Sequence, residues 1–179
     1  MFIQALKNAK TPTEKSAIVA AQREKMRERI ESNHNPNQLL KLAKNMQQIC
    51  TQHPAAEPLL EESELAVTRA NAMLDAAEKV AKQVRFDGLE AMQELGHRPS
   101  SRIAQMYKTH GSWTNVHARL VSNDAGGNSF RLLCANGKLE LTSEHFIVKH
   151  APFAVTKDVL SELVPLIEKA EQEIEEKQA

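Results

Sequence analysis

Aromatic side chains are scarce: one Trp, one Tyr and five Phe make up about 4% of 179 residues. A large β-sandwich core draws heavily on such residues, so the shortage favours packing by Leu, Ile, Val, Met and Ala on helices. Cysteine is scarcer. Cys50 and Cys134 lie far apart without the spacing of zinc ligands, which excludes a disulfide framework and makes a reducing compartment the expectation. No run approaches the roughly 18 apolar residues of a membrane span, and Phe2 to Leu6 is too short for a signal-peptide core, so the expected setting is cytoplasmic, with no membrane partner. Net charge is also absent, with 23 Lys/Arg against 23 Asp/Glu.

That zero hides a strong pattern. Residues 1–50 carry nine bases and four acids, and 51–95 carry four and nine. Residues 96–155 carry seven and three, and 156–179 carry three and seven. Two accounts stay open at this point. Each acidic helix neutralises a basic neighbour within the fold, or a basic segment stays exposed and attracts an anionic partner.

What the chain has in abundance is a one-sided helix from Pro58 to Leu95. At 100° per residue most of its Leu, Val, Met, Ala and Gly fall within an arc of roughly 140°, with almost every charge outside it. Pro58 suits a first turn, and Gly96 a left-handed end. Such a helix is about 57 Å long, too long for one small core to cover. Its stripe therefore packs on other helices of this chain or on a second copy, with Leu60, Val67, Leu74, Ala81 and Gly88 as the association positions. Phe86 lies outside the stripe, to be covered by the following module or met by a partner.

Before it, Thr11-Pro12-Thr13-Glu14 is a capping-box helix start, and Asn35-Pro36 opens another helix with Leu39, Leu42, Ala43, Met46, Ile49 and Cys50 on one side. Cys50 reads there as a buried small hydrophobe. After Gly96 the character changes: five of seven aromatics and five of seven histidines fall between residues 97 and 153. Ser101 suits a cap for a short helix ending at Gly111. From Trp113 on, Val116, Ala118 and Leu120 alternate with Asn115, His117 and Arg119, as in a half-buried strand. Asn123 to Asn128 reads as a flexible turn, Phe130 to Ala135 as a second strand and Asn136-Gly137 as a two-residue hairpin turn, with a single helical turn or a bulge at Thr142-Ser143-Glu144. Thr156 caps a last helix that Pro165 should kink or interrupt with a fresh start.

The expected fold class is therefore α+β, mainly α. N-terminal antiparallel helices including one long helix (1–95) precede a small basic antiparallel β-meander or SH3-like unit (96–155) and an acidic C-terminal helix (156–179). Histidine enrichment does not carry a metal site, because the spacings do not converge, and neither a metal nor a cofactor is expected. No nucleophile motif or phosphate loop stands out, so catalysis has no assigned residues, although an enzyme of unknown class remains an alternative.

The leading expectation is a non-enzymatic binding or regulatory protein whose basic module binds nucleic acid. Arg98, Arg102, Lys108, Arg119, Arg131, Lys138 and Lys149 would meet phosphates, and Trp113, with Tyr107, would stack on bases. Residues 101–121 also admit a helix-turn-helix, with Asn115, His117 and Arg119 on the second helix. A protein-protein adaptor, inhibitor or assembly component is the remaining alternative, its partner another protein or a second copy bound along the long helix.

Overall fold

The computed structural model describes residues 1–97 and 101–178, which hold nine α-helices and no strand. These are α1 (Phe2–Asn8), α2 (Pro12–Glu31), α3 (Pro36–Gln52), α4 (Leu59–Glu94), α5 (Ser101–His110), α6 (Trp113–Asp124), α7 (Asn128–Ala135), α8 (Ser143–His150) and α9 (Lys157–Gln178). The chain forms two compact units, Met1–Leu74 and Asp75–Ala179, and the division falls within α4.

In Met1–Leu74, Thr11 and Glu14 form the reciprocal capping box. Glu14 N–H donates to Thr11 Oγ1 at 3.1 Å, and Thr11 N–H donates to the Glu14 carboxylate at 3.2 Å. Asn35 caps α3 by accepting from Gln38 N–H at 3.2 Å. The core joins Ile30, Leu39, Leu42 and Met46 to Ala66 and Ala70, which are fully buried on the stripe of α4. Small side chains let the helices approach closely there. Opposite polar groups also meet: Glu62, 1% exposed, accepts from Arg23 Nε at 3.0 Å and from Arg27 Nε at 2.9 Å, and Arg23 also pairs with Glu61. The acidic start of α4 thus neutralises basic α2. Cys50 is buried, with its thiol on the Ala56 carbonyl at 3.1 Å and its pKa raised by burial.

In Asp75–Ala179, Ala77, Ala81 and Val84 of α4 pack with Ala118 and Val121 of α6, Phe146 and Ile147 of α8, and Leu163 of α9. Phe130, Leu139, Ile167 and Ala170 form an adjoining cluster. Gly88 permits a close approach, because a Cβ at that position would lie 3.0 Å from the Leu141 carbonyl oxygen. Gly96 (φ 79°) closes α4, with His97 N–H on Met92 O and Gly96 N–H on Gln93 O, both 2.9 Å.

The expected β-meander or SH3-like unit is overturned, for three physical reasons. The segment from Trp113 is helical because its start is capped twice. Ser112 Oγ accepts from Asn115 N–H at 3.1 Å, and Glu78 of α4 accepts from Trp113 N–H at 2.7 Å and from Thr114 N–H at 2.9 Å. The second cap comes from 35 residues upstream, where no local pattern reveals it. Asn136-Gly137 ends a helix instead of turning a hairpin. Gly137 (φ 68°) donates to Cys134 O at 3.0 Å and Lys138 N–H to Leu133 O at 2.9 Å, the paired bonds of a Schellman motif. Thr142, expected in a single helical turn or a bulge that bends the last strand, caps the full helix α8 by accepting from His145 N–H at 3.1 Å. With the sheet gone, the β-module expected to bind a ligand is replaced by a helical unit. Pro165 also does not end its helix: α9 runs through it, with Leu163 and Ile167 buried on either side.

Candidate nucleic-acid interface

Helix α5, the two-residue turn Gly111-Ser112 and helix α6 form a helix-turn-helix-like pair. Gly111 adopts φ 72° and donates to Tyr107 O at 2.9 Å, ending α5, and Ser112 starts α6 at once. Asn115 Nδ2 reaches back to His110 O at 3.2 Å and ties the turn across its mouth.

The two faces of α6 differ in chemistry. Inward point Thr114, His117, Ala118 and Val121, all buried. His117 bridges three helices: Nε2 lies 3.0 Å from Ala81 O of α4, and Nδ1 lies 2.8 Å from Ser143 Oγ of α8. A carbonyl can only accept, so Nε2 carries the proton and Nδ1 accepts from the Ser143 hydroxyl. Burial pushes the imidazole pKa down to about 4, with nearby Arg85 adding to the effect, so the ring is neutral at pH 7. This serine-histidine pair has the hydrogen bond of a nucleophile and its base, but so weak a base, tied at both nitrogens, acts as a brace.

Outward point Asn115, Arg119, Ser122 and Asn123, all exposed and spaced at i, i+4, i+7 and i+8 on one helical face. Asn and Arg are the side chains that pair in bidentate fashion with adenine and guanine edges, and Ser bonds to either. Arg119 makes no ion pair or hydrogen bond among the described residues.

The anticipated phosphate and stacking residues divide. Arg102 and Lys108 lie exposed on α5, and Arg119 on α6. Arg131, on α7, donates from Nε to Gly126 O at 3.0 Å. Lys138 is paired with Glu94 at 2.9 Å and Lys149 with Glu171 at 2.9 Å, so both are neutralised by flanking acidic helices. Arg98 lies outside the described residues. Trp113 is half-buried and already stacked: Tyr107 lies on it with centroids 4.4 Å apart, and Phe86 meets it edge-on at 5.8 Å. Tyr107 and Phe86 remain 38% and 50% exposed, so the outer surface of this cluster belongs to them.

Of the association positions, Ala81 and Gly88 are buried within Asp75–Ala179, Val67 packs on the core of Met1–Leu74, Leu74 is half-buried, and Leu60 is 38% exposed. Strand alternation up to Leu120 and the turn signal at Asn123 hide Ser122 and Asn123 in the sequence. The signal that finds them is the spacing of 3.6 residues from Asn115 through Arg119. No group of His, Cys, Asp and Glu suited to a metal ion occurs among the described residues, and none of their helices is long and apolar enough to cross a membrane. Comparison with known proteins finds no match to a family model, a curated protein or a solved structure.

Proposed function

We propose that the chain binds double-stranded nucleic acid through α6, with α5 and α6 working as a helix-turn-helix. The observation that carries this reading is the outward face Asn115, Arg119, Ser122 and Asn123, which is polar, free of acids and backed by a rigidly braced inner face. Arg119 and the asparagines read base edges, Asn115 with its side-chain oxygen and the amide hydrogen not given to His110 O, while Arg102 and Lys108 hold phosphates. So few cations imply a modest electrostatic contribution, with a slope of log K against log salt of roughly −2 to −3.

Fluorescence anisotropy on a random duplex, followed by selection of a preferred sequence from a random pool, tests it. Arg119→Ala should cost about 1–3 kcal/mol on the selected site and relax its specificity, whereas Lys108→Ala should weaken all sequences alike and flatten the salt slope by about 1. Binding indifferent to salt, or unchanged in Asn115→Ala/Arg119→Ala, would sink the proposal. The half-exposed Phe86 and Tyr107 favour a second reading, in which the aromatic cluster docks a protein. A defined complex without nucleic acid that is lost in Phe86→Ala/Tyr107→Ala would decide for it.

A further inference from the structure

A cleft of about 270 Å³ lies within Asp75–Ala179, behind α6. Its volume is near the lower end of small-molecule sites, which span about 300–1,000 Å³. Met92, Leu120, Phe130 and Leu133 give it an apolar wall.

Its polar groups are unequal. Glu144 is buried and accepts from Gly126 N–H at 3.0 Å, and Asp124 lies against Gly127 at the start of α7, where the helix dipole favours a negative charge. Glu144 thus has a partner in the α6–α7 turn. Arg85 has none: its Nε is buried without a hydrogen-bond acceptor, and no carboxylate pairs with it among the described residues. Arg85 as a whole is only partly buried, and a cation without a carboxylate partner on the wall of a cleft favours an anion. Desolvation alone pushes its pKa down, in keeping with the missing counter-ion. The first turn of α8, at Thr142 and Ser143, also lines the cleft and adds the positive end of its dipole.

We propose that this cleft binds a small organic monoanion, a carboxylate on an apolar body, with the carboxylate on Arg85 and the body against Met92, Leu120, Phe130 and Leu133. A single negative charge suits the site because Asp124 and Glu144 also border the cleft and repel a second one. The ligand would lie against the inner side of α6, away from Asn115 and Arg119, so the site does not depend on nucleic-acid binding.

Isothermal titration of the full chain with hexanoate and benzoate, and with hexanamide as the neutral counterpart, tests the proposal. The acids should bind at millimolar concentration or tighter and the amide roughly tenfold or more weakly, since a charge-assisted hydrogen bond is at stake. Arg85→Gln should erase that preference, and Arg85→Lys should keep part of it. Should Arg85→Gln not fold, amide shifts of the wild-type chain on titration still decide, because they must centre on Leu120, Leu133 and Arg85. Equal binding of acid and amide, no binding of either acid, a preference retained in folded Arg85→Gln, or shifts centred elsewhere would overturn it.

Discussion

The long helix α4 is gripped by polar groups in both units, and the two grips are made differently. In Met1–Leu74 a buried carboxylate, Glu62, is held by two arginines that reach the surface. In Asp75–Ala179 a buried neutral imidazole, His117, accepts the Ser143 hydroxyl and donates to the backbone of α4 at Ala81. The first arrangement keeps its arginines near water and pairs the one buried charge with both of them, which offsets the cost of burying it. The second avoids charge altogether. Acid therefore strikes the second grip hard, because protonating His117 removes an acceptor in a dry site.

The contrast is broken most forcefully by Phe146→Ala. This ring is fully buried beside His117, at 4.9 Å between centroids, and its removal should cost about 3–5 kcal/mol. Hydrogen exchange should accelerate across Asp75–Ala179 and much less across residues 1–74. Equal acceleration in both would mean that the two units unfold as one.

A pH titration sharpens the comparison next. The pKa of His117 is about 4 in the folded chain against 6.5 for a free imidazole, so the unfolded state binds the proton first as pH falls. Its contribution is fully present above about pH 6.5 and is lost progressively down to about pH 4, by about 3 kcal/mol in all. Glu144 acts with opposite sign. Burial raises its pKa above 4.5, so its proton favours the fold in acid and that benefit fades as pH rises. Denaturant melts monitored at Trp113 between pH 7 and 4 should show the histidine loss, and His117→Asn should flatten that slope. A wild-type profile without slope in this window would argue against a buried neutral ring.

Gly88→Leu is the smallest of the three, at about 1–3 kcal/mol, from forcing a side chain into the 3.0 Å approach of the Leu141 carbonyl. Thermal melting should fall by several degrees, and Gly88→Ala by less. An unchanged melting temperature for Gly88→Leu would show that the 3-10 turn Leu139–Leu141 moves aside freely.

The two units also differ in how plainly their sequences read. Helices α2, α3 and α4 carry their own start and stop signals, such as Thr11 with Glu14, Asn35 before Pro36, and Gly96, so local patterns suffice. Residues 113–148 do not. Val116, Ala118 and Leu120 alternate as a strand would, yet the helix forms because Glu78 caps it from α4 and because the inward polar residues, Thr114 and His117, find partners on other helices. Asn136-Gly137 is ambiguous in principle, since a hairpin turn and a helix end both call on a left-handed glycine. The candidate interface was legible in part: Asn115 and Arg119 were placed on a second helix in one alternative, while His117, placed beside them, turned out to face inward.

That same Asn136-Gly137 pair has a chemical consequence. Asparagine before glycine ages by ring closure, when the glycine nitrogen loses its proton and attacks the asparagine side-chain carbonyl. Here the Gly137 N–H is engaged with Cys134 O at 3.0 Å, and the Asn136 amide is tethered to Leu132 O at 2.9 Å. The reaction is held back while the last turn of α7 stays wound and released when it frays. Aspartate and isoaspartate accumulating at residue 136 would then serve as a clock, recording how long this stretch of each molecule has spent unwound.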